Sequence, residues 1–184
     1  MKHLKKFNEN IDLWEELEEE ELDDSFMIWL EQKYPDKSKW DQITRLSCHN
    51  NNLYSLRGIE NLINLKILYC FNNNLTSLEG IENLTKLEIL SCSNNNITSL
   101  KGIENLTNLK ELYCSNNNLT SLEGIEKLNN LTHLWCNNNS LTSLKRIENL
   151  TRLKYLSCHR NQLKLIDKLK IKLFCLKYNI QLEI

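Results

Sequence analysis

Residues 65–86 read LKILYCFNNNLTSLEGIENLTK, and the landmarks of that stretch return up and down the chain. Six cysteines stand at 48, 70, 92, 114, 136 and 158, each 22 residues after the one before. Three residues beyond each is an asparagine: Asn51, Asn73, Asn95, Asn117, Asn139 and Asn161. Two residues before each is a leucine: Leu46, Leu68, Leu90, Leu112, Leu134 and Leu156. All four glycines, Gly58, Gly80, Gly102 and Gly124, fall at one repeat position. A fixed period of this length marks a chain of stacked supersecondary units.

Within L-x-x-L-x-C the second leucine and the cysteine are two residues apart, so both face the same side of a strand. The apolar positions that follow (Leu75, Leu78, Ile81, Leu84) are three apart, which suits a 3₁₀-like or helical return. One such unit cannot cover its apolar side alone. Neighbours stacked on a parallel ladder bury a continuous core, so several units must fold together. The repeated asparagine is expected to point inward, its amide bonding backbone groups freed where strand becomes loop. The glycines are expected to relax a tight bend where a Cβ would crowd the next turn. Arg146 replaces the fifth glycine, so the turn at 145–147 is expected to differ.

The unit L-x-x-L-x-C-x-x-N-x-L-x-x-L-x-x-I-x-x-L resembles the leucine-rich repeat, with cysteine in the third apolar slot of L-x-x-L-x-L-x-x-N. Its 22-residue length and G-I-x-x-L tail are similar to the short class found in bacterial internalins and a phosphatase regulatory subunit. The Cys- and Asn-rich flavour is similar to repeat proteins of giant amoeba-infecting viruses. The likeness covers 43–163 tightly and 164–184 loosely. It implies an α/β repeat solenoid: a curved right-handed coil with about seven parallel strands on the concave face, 3₁₀ or short helical segments on the convex side, and a helical N-terminal cap. It also implies a module that binds proteins rather than an enzyme, with a host protein as partner if the viral likeness holds.

The chain divides into an acidic helical cap over 1–42, repeats over 43–169 and a shortened capping repeat over 170–184. A solenoid exposes raw core at both ends unless capped. Residues 11–34 read as helical: Leu13, Trp14 and Leu17 share a face, and Phe26, Trp29 and Leu30 follow a capping Asp24 or Ser25. Pro35 closes that stretch. Phe26, Trp29 and Trp40 are expected to pack over the first repeat, and the acidic run EELEEEELDD (15–24) to be a solvated face. At the other end KIKLFCL (170–176) alternates like a strand, and Lys164, Lys168, Lys170, Lys172 and Lys177 read as charges blunting an exposed sheet edge.

The 184 residues carry 41% hydrophobic and 26% charged side chains, too apolar for a disordered chain, and no stretch approaches the ~20 apolar residues of a membrane span. The first residues lack the apolar core of a secretory signal, so the seven cysteines point to a reducing compartment, the cytoplasm (a host's, if viral). The net charge of −1 hides a gradient: −7 over 1–42, −1 over 43–144 and +7 over 145–184.

Chemistry is hard to find in this pattern. Cys48-His49 and Cys158-His159 resemble nucleophile and base, yet adjacent strand side chains point to opposite faces and cannot meet. A straight column of thiols about 4.8 Å apart cannot wrap a tetrahedral metal, and its parallel vectors do not suit disulfides. No metal, cofactor or catalytic group is expected.

Binding is expected on the outward strand positions, which are free of core duty. One column there reads Ser47, Tyr69, Ser91, Tyr113, Trp135, Ser157; the next reads His49, Phe71, Ser93, Ser115, Asn137, His159; a third reads Arg45, Ile67, Ile89, Glu111, His133, Tyr155. The candidate contact residues are Tyr69, Phe71, Tyr113, Trp135, Tyr155, His133, Ile67 and Ile89. Rings in such a patch are what interface hot spots look like, although rings also pair across strands simply to stabilise a sheet. The favoured reading is a non-enzymatic module gripping a protein segment, monomeric or weakly self-associating. The alternatives are an anion or nucleic-acid patch on the basic C-terminal quarter, and an assembly protein whose acidic end meets a neighbour's basic end.

Overall fold

The computed structural model describes residues 25–184. The readings placed on residues 11–24 (the Leu13, Trp14, Leu17 face and the acidic run) lie outside the described residues. Among the described residues, seven three-residue strands form one parallel sheet in chain order: β1 Arg45–Ser47, β2 Ile67–Tyr69, β3 Ile89–Ser91, β4 Glu111–Tyr113, β5 His133–Trp135, β6 Tyr155–Ser157 and β7 Gln181–Glu183. Each pairs residue for residue with the next, so Leu46, Leu68, Leu90, Leu112, Leu134, Leu156 and Leu182 lie in one row. Between strands the chain returns through 3₁₀ turns such as Ile81–Asn83 and Ile103–Asn105.

The three-residue spacing explains why the return is 3₁₀. Side chains three apart eclipse in that helix, so Leu78, Ile81 and Leu84 drop into one row behind the sheet, all buried. The six repeat cysteines are buried with them. One apolar core runs the length of the stack, and a neighbour on each side hides what a single unit would expose.

The asparagine ladder forms as its chemistry requires. The Asn73 amide donates to the Cys48 and Cys70 carbonyls at 3.0 Å, and its Oδ1 accepts from the Asn51 and Leu53 N–H groups at 3.0 Å. Asn95 and Asn117 repeat the pattern one and two steps along. Asn51, first in the row, has no preceding repeat to serve; it stays exposed and donates only locally, to the His49 carbonyl.

Each glycine opens its 3₁₀ turn in the left-handed region, and at Gly124 φ is +100°. The Gly124 N–H is held at 2.9 Å by Glu126, two residues on. Where Arg146 stands instead, the turn lengthens to Lys145–Asn149, entered from Leu144 at φ −114°, and the guanidinium pairs with Glu126 at 3.1 Å. A residue with a Cβ takes the ordinary helical side of φ, and the turn absorbs the difference.

At the N-terminal end helix α1 (Ser25–Lys33) and a 3₁₀ segment (Lys37–Gln42) bury Phe26, Leu30 and Trp40, with Trp29 partly buried against them. The C-terminal end departs from expectation. Residues 170–176 are not a strand: Leu165–Tyr178 is a 14-residue helix, α2. Ile171 and Cys175, four apart, form its buried contact, and the Lys/apolar alternation of 168–173 fits helix as well as strand because leucine and lysine are strong helix formers. The strand follows at Gln181–Glu183, 26 residues after β6 (181 − 155) rather than 22. The five lysines therefore sit on or beside a helix and do not blunt a sheet edge. Among the described residues no helix is long and apolar enough to cross a membrane.

Candidate functional site

Alternation along each strand decides what faces outward. With Leu112 and Cys114 turned into the core, Glu111, Tyr113 and Ser115 must take the other side. Parallel in-register strands then bring the outward residues of successive repeats into columns about 4.8 Å apart, close to the stacking distance of flat rings.

The rings gather into two groups. Tyr113 and Trp135 stack with centroids 4.1 Å apart and planes within 8°, and Tyr155 follows Trp135 at 4.8 Å. His133 lies 5.6 Å from Trp135 and nearly parallel to it. Toward the N-terminus, His49 stacks on Phe71 at 4.5 Å and Tyr69 meets Phe71 edge-on at 6.5 Å. The Arg45 guanidinium lies 5.1 Å from the Tyr69 ring. Stacking leaves all six aromatic candidates half-buried, where unpaired rings would be fully exposed. Ile67 and Ile89 are half-buried on the same face.

Between the groups the column holds a small residue. Ser91 stands where Tyr69 and Tyr113 have rings, and Ile89 lies beside it. The result is a trough of about 480 Å³ floored by Ile89 and Ser91, with Tyr69, Phe71 and Arg45 on one wall and Tyr113 and Glu111 on the other. The Tyr113 hydroxyl donates to Glu111 Oε2 at 2.7 Å. Partial burial, then that carboxylate, push the Tyr113 phenol up to about 12, so it stays a neutral donor. Beside Tyr113 and Trp135 respectively, the buried Ser115 and Ser157 hydroxyls both donate to Asn137 Oδ1, at 2.6 and 3.3 Å, which fixes the polar border of the larger ring group.

The cysteines are chemically quiet. Burial pushes the Cys48, Cys92 and Cys158 thiols up to about 12, and raises Cys70, Cys114 and Cys136 well above the ordinary value. The Cys114 thiol donates to the Trp135 carbonyl at 3.3 Å. His49 and His159 do not reach their neighbouring cysteines; their Nδ1 atoms lie 2.7 and 3.2 Å from the Ser47 and Ser157 hydroxyls. A thiolate nucleophile has no base and no access there.

The columns place every candidate residue on one face of one sheet. Two contributions are not visible in the linear sequence: the stacking role of His49, and the gap at Ser91. Both were implicit in the register, since stacking partners are 22 residues apart and Ser91 interrupts a column of rings.

Comparison with known proteins agrees with the repeat and the fold. A family described as leucine-rich repeats, two copies, matches residues 85–127 and again 129–171. Among solved structures, an internalin from Listeria monocytogenes superposes with a TM-score of 0.60 at 27% identity, covering 71% of this chain. This chain spans 45% of that internalin's length. No curated protein matches the sequence. The repeats over 85–171 match leucine-rich repeats, and the fold is a leucine-rich-repeat solenoid.

Proposed function

We propose that this leucine-rich-repeat solenoid is a non-enzymatic module that binds a protein segment across the ring-bearing face of its sheet. Leucine-rich-repeat proteins bind protein partners, and the chain's own geometry supplies the choice of face. The observation that carries the reading is the trough at Ser91 between two ring groups. Two strand steps separate Tyr69 from Tyr113, about 9.6 Å, and a flat group sandwiched between rings needs about 7–8 Å. A partner's aromatic ring, laid between Tyr69 and Tyr113 over Ile89, would continue a stack the protein has left incomplete. Trp135, Tyr155 and His133 extend the contact along the face, and Phe71 and Ile67 border it. The unpaired thiols support a reducing address, the cytoplasm.

The stacked rings also stabilise the sheet, so the test must separate the two roles. Ser91→Tyr fills the gap: it adds a cross-strand ring pair and should hold or raise stability by about 0.5–1 kcal/mol. The same change should abolish binding to a partner isolated by affinity capture and then prepared pure. Trp135→Ala with Tyr113→Ala should weaken that binding at least about 30-fold, as truncated hot spots do. Unchanged affinity in both variants would remove this face from the contact.

A further inference from the structure

Helix α2 covers the last repeat with one face and presents an uncovered apolar ridge on the other. Ile171 and Cys175 are buried, whereas Leu165, Leu169, Leu173 and Leu176 are 74%, 49%, 67% and 79% exposed. At 100° per residue these four leucines fall within about an 80° stripe, on the side away from the buried contact. Lysines line both margins: Lys168 and Lys172 along one, Lys170 and Lys177 along the other, all exposed. Four large exposed leucines in one stripe are more than scattered surface apolar residues explain. A ridge of this kind fits an occupant that is apolar along its centre and acidic at its sides.

The chain carries such a segment. Residues 11–24, IDLWEELEEEELDD, hold nine Asp/Glu, no Lys/Arg, and the apolar residues Ile11, Leu13, Trp14, Leu17 and Leu22. Residues 164–178 hold five lysines against one aspartate. We propose that α2 is the docking site for residues 11–24 of a second copy of this chain. Reach argues for a second copy over the same molecule. Six strand steps separate β1 from β7, about 29 Å. Leu22 stands three residues before Ser25 and Leu17 eight, so fully extended chain carries them only about 10 and 28 Å; Ile11, Leu13 and Trp14 could span the distance, but the segment could not dock along its whole length on its own molecule. Pairing of α2 with another α2 would set five lysines against five. Head-to-tail docking matches unlike charges and, being heterologous, builds rings or open chains. This surface is separate from the ring-bearing face, so the two proposals fail independently.

The test is sedimentation velocity of the 184-residue chain over a concentration series. One variant breaks the tail surface (Leu169→Glu with Leu173→Glu); another breaks the head segment (Trp14→Ala with Leu17→Glu). The wild type should associate at about 0.01 M salt and at least tenfold more weakly at about 1 M, where the Debye length falls from ~30 to ~3 Å. Each variant alone should be monomeric, and an equimolar mixture should form a two-chain complex and nothing larger. Lys168→Glu with Lys172→Glu leaves the leucines in place and should abolish association as fully as the leucine changes. Three outcomes overturn the proposal. A wild type that stays monomeric at low salt is one. A head variant that still self-associates, showing α2 pairing with itself, is the second. The third is a monomer that phosphatidylserine vesicles capture through the same leucines, which would assign the ridge to an anionic membrane surface.

Discussion

Asn117→Ala should be among the costliest single substitutions in this chain, and the reason is arithmetic on hydrogen bonds. The side chain ties two successive repeats together: its amide donates to the Cys92, Cys114 and Ser115 carbonyls at 3.1, 3.2 and 3.3 Å, and its Oδ1 accepts from the Ile97 N–H at 2.9 Å. Alanine removes all of these in a place water does not reach. The Ile97 N–H is left without a partner, which costs about 1–3 kcal/mol; the Cys92 and Cys114 carbonyls keep one bond each, from Asn95 and Asn139, and losing the second costs about 0.5–1.5 kcal/mol apiece, so the change costs about 2–6 kcal/mol in all. Against a total stability of roughly 5–15 kcal/mol that is a large share. Asn51→Ala is the internal control. Asn51 makes the same kind of bond only to the exposed His49 carbonyl at 2.7 Å, and its loss should cost under about 1 kcal/mol. Urea titrations of the two variants, followed by far-UV circular dichroism, measure the difference directly. Asn117→Asp sharpens the test, since it keeps the shape and loses the donors; it should fall with Asn117→Ala. Equal midpoints for Asn117→Ala and Asn51→Ala would refute the ladder as a source of stability.

Two further outcomes follow from the core and the turns. The folded thiols of Cys48, Cys92 and Cys158 keep their protons up to about pH 12, and Cys70, Cys114 and Cys136 hold theirs more firmly, whereas unfolded thiols ionise near 9.0. The unfolded chain therefore binds fewer protons above pH 9, and each thiol lowers stability by about 1.4 kcal/mol per pH unit through that window, its full contribution being present below it. The urea midpoint should drop steeply from about pH 9 to 11, and less steeply in a Cys92→Val, Cys114→Val variant; an identical slope would count against a buried column. Gly124→Ala puts a Cβ on a residue at φ +100°, where it would meet Ile103 at 3.1 Å, and should cost about 1–2 kcal/mol in thermal or urea unfolding. Arg146→Gly, at the position that has already adapted, should gain nothing comparable.

The repeat itself made most of the fold legible. Cysteine, leucine and asparagine at 22-residue steps determine strand, inward face and ladder together, because each is needed for the other two to be buried. The ring-bearing face followed from the same register by alternation. What was harder to read lay where the period stops. The period-2 alternation over 168–173, which runs into KIKLFCL, is compatible with a strand and also with a helix whose buried contact is Ile171 and Cys175. The stronger cue was Leu165, Leu169 and Leu173 at four-residue steps, a spacing that belongs to a helix, and it was masked because those leucines face outward. His49 was likewise illegible alone: a surface histidine is unremarkable until Phe71, 22 residues on, stacks against it at 4.5 Å. The gap at Ser91 acquires meaning only from the rings on either side, which no local pattern contains.

The central physical claim is that the coil turns its thiols inward and its rings outward, and hydroxyl-radical footprinting of the folded chain with residue-resolved mass spectrometry reads both at once. Tyr113 and Trp135 should be oxidised at rates set by their half-exposed edges, while Cys114 and Cys136, intrinsically among the most reactive side chains, remain unmodified until urea unfolds the protein. Oxidation of Cys114 and Cys136 in the folded state, with Tyr113 and Trp135 spared, would contradict it.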